Sequence, residues 1–129
     1  MTARRFTAAA RTEGDSVVLD LTGDINTFAV DDLESATDVA LATAPQRVVL
    51  NFEQTSFINS TGIALIVGLL RRVRAAKVHV VACGLSDHYR EIFEITRLVD
   101  FMDLAADEQA ALAATTVFGL DREGRGTDA

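Results

Sequence analysis

Arg47-Val48-Val49-Leu50-Asn51-Phe52, followed after a short polar interval by Phe57-Ile58-Asn59-Ser60-Thr61-Gly62-Ile63, decides how this chain folds. The first run is β-branched and apolar, as in a buried strand. Beyond the second, Ile63, Ile66, Val67, Leu70 and Val73 recur at three- and four-residue spacing, with Arg71, Arg72 and Arg74 mostly between them. That pattern predicts an amphipathic helix to about Ala76. Asn59 or Ser60 is its natural N-cap, the side chain accepting from a free amide of the first turn. A hydroxyl there is exposed, rigidly held and close to the positive end of the helix dipole, which suits a phosphoryl group. A plain capping serine, worth about 1 kcal/mol, accounts for the residue as well.

Upstream, Phe6 to Thr12 reads as an edge strand, and Glu13-Gly14-Asp15 as a turn into a second strand, Ser16 to Leu21. Gly23-Asp24-Ile25-Asn26 reads as a loop. Thr27 or Asn26 then caps a helix over Val30, Leu33, Ala36, Thr37, Ala40 and Leu41, with Pro45 just past its end. Gln54-Thr55-Ser56 reads as a loop. Downstream, Val78 to Ala82 is a β-branched run broken by Gly84, and Ser86-Asp87 caps a helix through Tyr89, Ile92, Phe93 and Thr96. Phe101 to Leu104 is a short last strand, and Asp107 caps a final helix to about Ala114. Thr115 to Leu120 carries no clear pattern, and Asp121 to Ala129 reads as a frayed tail. A hairpin followed by alternating strands and helices implies an α/β domain whose mixed sheet has parallel later strands.

The 129 residues accommodate one domain, and 49% hydrophobic content supports a core without disulfide or metal. The expected division is a domain over 1–120 and a flexible tail over 121–129. Twelve Lys and Arg against 19 Asp and Glu leave a charge of −7, which disfavours direct nucleic-acid binding. Cys83, the sole cysteine, reads as a small buried hydrophobe. The apolar stretch after Arg4 and Arg5 is too short for a signal peptide, and Ile63 to Leu70 falls far below the roughly 20 residues a spanning helix needs. The expectation is a cytoplasmic chain with no membrane association.

Asn59-Ser60-Thr61-Gly62-Ile63 resembles the phosphoacceptor segment of the STAS domains, the bacterial anti-sigma factor antagonist family, whose usual signature is Asp-Ser-Ser/Thr-Gly-Leu/Ile. Leu19-Asp20-Leu21-Thr22-Gly23-Asp24-Ile25 is similar to that family's strand-Gly-acid-hydrophobe step into its first helix. Phe93 to Leu98 with Phe101 to Leu104 looks like its closing helix-strand unit, and Asp107 to Leu112 like its final helix. The match runs from about Phe6 to Ala114. It implies a small mixed sheet of four or five strands with about four helices packed against it.

The resemblance implies an anti-sigma factor antagonist with no catalysis or cofactor of its own. Unmodified, it would bind an anti-sigma factor that is a serine kinase. Phosphorylation at Ser60 would release that kinase and free a sigma factor, and a PP2C-type phosphatase would reset the switch. Partner contacts fall on Asp24, Asn26, Thr27, Asn59, Thr61, Gly62 and Ile63, with Thr61 a neighbour and not the acceptor. Asn59 departs from the family's aspartate, leaving a cap in place but removing a carboxylate beside Ser60. The other class of function open to this domain is a non-switching STAS scaffold, or an accessory subunit of a signalling complex or transporter. A Ser60 nucleophile would need a base that no motif supplies. His79 in a strand, and His88 beside Asp87, lack companions at metal-ligand spacing. Arg71, Arg72, Arg74 and Lys77 suit a helix C-terminus.

Overall fold

The computed structural model describes residues 5–113. Thr115 to Leu120, the end of the last helix and the expected tail lie outside them. The hairpin forms as expected: β1 (Thr7–Glu13) runs antiparallel to β2 (Ser16–Ile25), joined by Gly14 and Asp15. A 3-10 turn, Thr27–Ala29, leads into α1 (Val30–Ala42). Then come β3 (Arg47–Asn51), β4 (Thr55–Ile58), α2 (Ser60–Ala75), β5 (His79–Cys83), α3 (Asp87–Ile95), β6 (Asp103–Ala105) and α4 (Glu108–Ala113).

The main sheet has the order β1-β2-β3-β5-β6, with β2, β3, β5 and β6 mutually parallel. Its side chains divide by alternation. Val17, Leu19, Leu21, Val48, Leu50, Val80 and Ala82 face α1, α2 and α3 and build the principal core with Ile66, Leu70, Val73 and Phe93. Val18, Val49, Val81 and Cys83 face the other way, onto Ala111 and Leu112 of α4. Strands buried on both faces read as unbroken β-branched runs, which is why the sequence shows them so plainly.

Polar groups fasten α4 to this second face. The Arg11 guanidinium donates to Asp20 and to Glu108 at 2.6 Å each, and Arg47 donates to the Leu112 carbonyl at 2.9 Å.

The mixed α/β class holds, but the sheet has six strands where four or five were expected. The extra strand is β4, in the segment read as a loop; it pairs in parallel with the end of β2, the other segment read as a loop. A register shift between Gly23 and Asp24 lets β2 serve β3 along its first half and β4 along its last residues. Gly23 takes φ +95°, a conformation open to glycine and strained for other residues. The last strand also begins later than expected, at Asp103. Phe101 lies outside it, exposed beneath the Arg74 guanidinium at 5.4 Å, while Met102 is buried.

Candidate functional site

The C-terminal ends of β2 and β4 form a shelf on which α2 begins. Ile25 stands opposite Ile58 and Asp24 opposite Phe57 in the parallel ladder. The chain then leaves β4 through Asn59, whose backbone is extended (φ −94°, ψ −176°) and whose N–H donates to the Ile25 carbonyl at 3.3 Å. Asn59 Oδ1 accepts from the Gly62 N–H at 2.8 Å, and the Asn59 carbonyl accepts from Ile63 at 2.9 Å. Of the two candidate caps, Asn59 is therefore the N-cap.

Ser60 is the first residue of α2 and is exposed, as is Thr61. Its hydroxyl sits in the first turn, where unpaired amides and the dipole favour negative charge, and that turn carries no acidic residue. Gly62 is buried: a Cβ there would collide with the Ile25 carbonyl and with Ile58 Cγ2. Gly62 thus offers a partner no side chain, and its smallness lets the helix start close down on β2. Ile63 is half-buried against the core, and so is Leu65.

The facing loop is built the same way. Asn26 caps the 3-10 turn, its Oδ1 accepting from Phe28 N–H at 2.9 Å, and Thr27 is exposed. Asp24 is half-buried at the bulge. Asp24, Asn26 and Thr27 are thereby brought to the same end of the sheet as Asn59, Ser60 and Thr61.

Three features here escaped sequence reasoning. Phe28 is 87% exposed and Phe57 53% exposed, so two aromatic rings flank the Ser60 shelf in water. The third is Tyr89 on α3, whose hydroxyl accepts from the Ile58 N–H at 2.9 Å and so ties β4 to α3. The aromatic type of residues 28 and 57 was visible, but alternation alone could not set their facing within unrecognised elements.

The sequence pattern of the STAS domain family matches residues 7–111. This chain belongs to the STAS domain family. The STAS domain is 29% identical to BtrV of Bordetella bronchiseptica over 94 residues, covering 73% of this chain and 81% of BtrV. It is 30% identical over 80 residues to the anti-sigma-B factor antagonist of Staphylococcus aureus, covering 62% of this chain and 74% of that one. Among solved structures, the phosphorylated form of the Bacillus cell fate determinant SpoIIAA superposes with a TM-score of 0.62 at 25% identity. That match covers 83% of this chain and 96% of SpoIIAA.

His79, His88 and Cys83 make structural contacts. His79 Nε2 is 2.7 Å from Asp103 Oδ2, joining β5 to β6. His88 is exposed and packs edge-on to Tyr89. Burial pushes the Cys83 thiol up to about 11, helped by the Glu108 and Glu53 carboxylates. Among the described residues, no group of three His, Cys, Asp or Glu side chains could hold a metal ion, and no helix is long and apolar enough to cross a membrane.

Proposed function

We propose that this chain is an anti-sigma factor antagonist whose contact surface is the Ser60 shelf, and that Ser60 is its phosphoacceptor. The observation carrying this reading is a division of roles: Asn59 caps α2, leaving the neighbouring Ser60 hydroxyl exposed in the same first turn. The name of the S. aureus relative supports the general role. The partner is an anti-sigma factor that is also a serine kinase. It transfers the γ-phosphoryl of ATP to Ser60 Oγ, the hydroxyl proton leaving and ADP departing, and a PP2C-type phosphatase reverses the state by hydrolysis.

The switch follows from charge. The phosphate adds about −1.5 to −2 units and three acceptor oxygens. At the N-terminus of α2 this charge is favourable by about 0.3–1 kcal/mol, so the fold survives. At the interface, a desolvated dianion need cost only about 2.7 kcal/mol to weaken binding 100-fold. Asp24, Asn26, Thr27, Thr61 and Ile63 complete the surface, with Phe28 and Phe57 as its apolar anchors.

Incubation with the candidate anti-sigma kinase and ATP, read by intact mass, tests the assignment. One phosphoryl gain in the wild type, absent in Ser60→Ala, supports it. Kinase binding without any mass gain overturns the switch and favours a non-switching scaffold or accessory subunit.

A further inference from the structure

β1 forms one edge of the sheet and, among the described residues, pairs with β2 alone. Glu13 and Ser16 close the two-residue turn, and a pair in that position exchanges both backbone hydrogen bonds. Alternation from there turns the N–H and C=O groups of Ala8, Ala10 and Thr12 outward.

This edge lacks the usual guards. It is seven residues long, contains no Pro or Lys, and its register to β2 runs without a bulge. Arg11, the cation that could screen it, is held on the α4 face by Asp20 and Glu108. Beside the edge lies a groove of about 250 Å³ between β1 and α1, lined by Ala8, Ala10, Asp32, Ser35, Ala36 and Val39. Val39 is 57% exposed there.

We propose that β1 pairs antiparallel with β1 of a second copy across a twofold axis at Ala10, joining the two sheets into one. Only this register matches the whole of Thr7–Glu13 to the whole of its counterpart. It sets Ala8 against Thr12 and Ala10 against Ala10, with about six new ladder hydrogen bonds.

The charges fit. Arg5 falls past the end of its counterpart strand, beside the hairpin turn that carries Asp15, whose carbonyl accepts from Gln46 on the β3 side. Both side chains are exposed, while Arg11 falls opposite Ala9 and Glu13 opposite Thr7. Of the four α1 acids, Asp31 is exposed and outside the groove lining, Glu34 lines the cavity toward α2, and Asp38 binds Arg72 on α2. Asp32 does face the seam, but the twofold carries the two copies of it to opposite ends. Three consecutive alanines offer a foreign strand no side-chain pocket to read, whereas a second β1 brings the matching charges.

Sedimentation velocity of the full chain, from about 1 to 500 µM, tests the pairing, since self-association must follow concentration. A monomer–dimer equilibrium is expected. Ala10→Lys, which opposes two like charges on the axis, abolishes it while the circular dichroism stays native. Arg5→Asp lies outside the β1–β2 ladder and weakens the dimer about tenfold; Arg5→Asp with Asp15→Arg restores it. A monomer at every concentration overturns the proposal, as does a dimer that persists in Ala10→Lys. Failure of the charge exchange to restore the dimer overturns the register.

Discussion

The peptide carbonyl of Ile25, at the end of β2, fills the space that any Cβ on Gly62 would need. This contact fixes how closely the first turn of α2 approaches the sheet, and so where Ser60 stands. Gly62→Ala must push backbone away from backbone, which no rotamer change can relieve. The expected cost is about 1–3 kcal/mol, read as a lowered melting temperature. An unchanged melt would show that the helix start can lift freely.

Tyr89 holds the other side of the shelf by accepting from the Ile58 N–H. Tyr89→Phe keeps the ring and removes the acceptor from a part-buried backbone donor. Urea unfolding should show the midpoint falling by the equivalent of about 1 kcal/mol, with the slope unchanged.

Phe28 and Phe57 support nothing in the core, so their truncation separates binding from folding. Phe28→Ala and Phe57→Ala should alter stability by no more than about 0.5 kcal/mol. If these rings anchor the anti-sigma factor, each loses about 2 kcal/mol of affinity, roughly 30-fold, by calorimetric titration.

Acid should loosen the clamp on α4. The Arg11 guanidinium, hydrogen-bonded to Asp20, holds that carboxyl below the usual carboxylate range, and Asn51 assists against the opposing effect of burial. A depressed folded-state pKa stabilises the fold above the ordinary value of roughly 4, and this contribution is lost as pH falls through the folded value. The difference in melting temperature between wild type and Asp20→Asn should therefore shrink on titration from about pH 5 to pH 2. A difference constant across that range would remove Asp20 from the account.

Cys83 should be inert while the protein is folded. With its thiol pushed up to about 11, chiefly by burial, almost no thiolate exists at neutral pH. Alkylation at pH 8 should be negligible in buffer and complete in denaturant. Rapid native labelling would mean that α4 opens often.

The sequence disclosed the parts of this fold that are decided locally. Asn59, Ser86 and Asp107 cap helices through side chains three residues from the amides they bind. The strands buried on both faces announced themselves by composition. Thr55–Ile58 did not, because four residues with a polar start become a strand only when the bulge at Gly23 carries β2 far enough to meet them. The same distant pairing hid the outward facing of Phe57. The Tyr89–Ile58 bond joins residues 31 apart in sequence, and no local pattern encodes it.

Asn59 and Ser60 divide the opening turn of α2 between them. One side chain carries the architectural duty, and its neighbour owes the helix nothing. Were Ser60 the phosphoacceptor proposed above, a lineage built on this frame could acquire, silence or retune that signal by altering a single codon, with no compensating change elsewhere in the molecule.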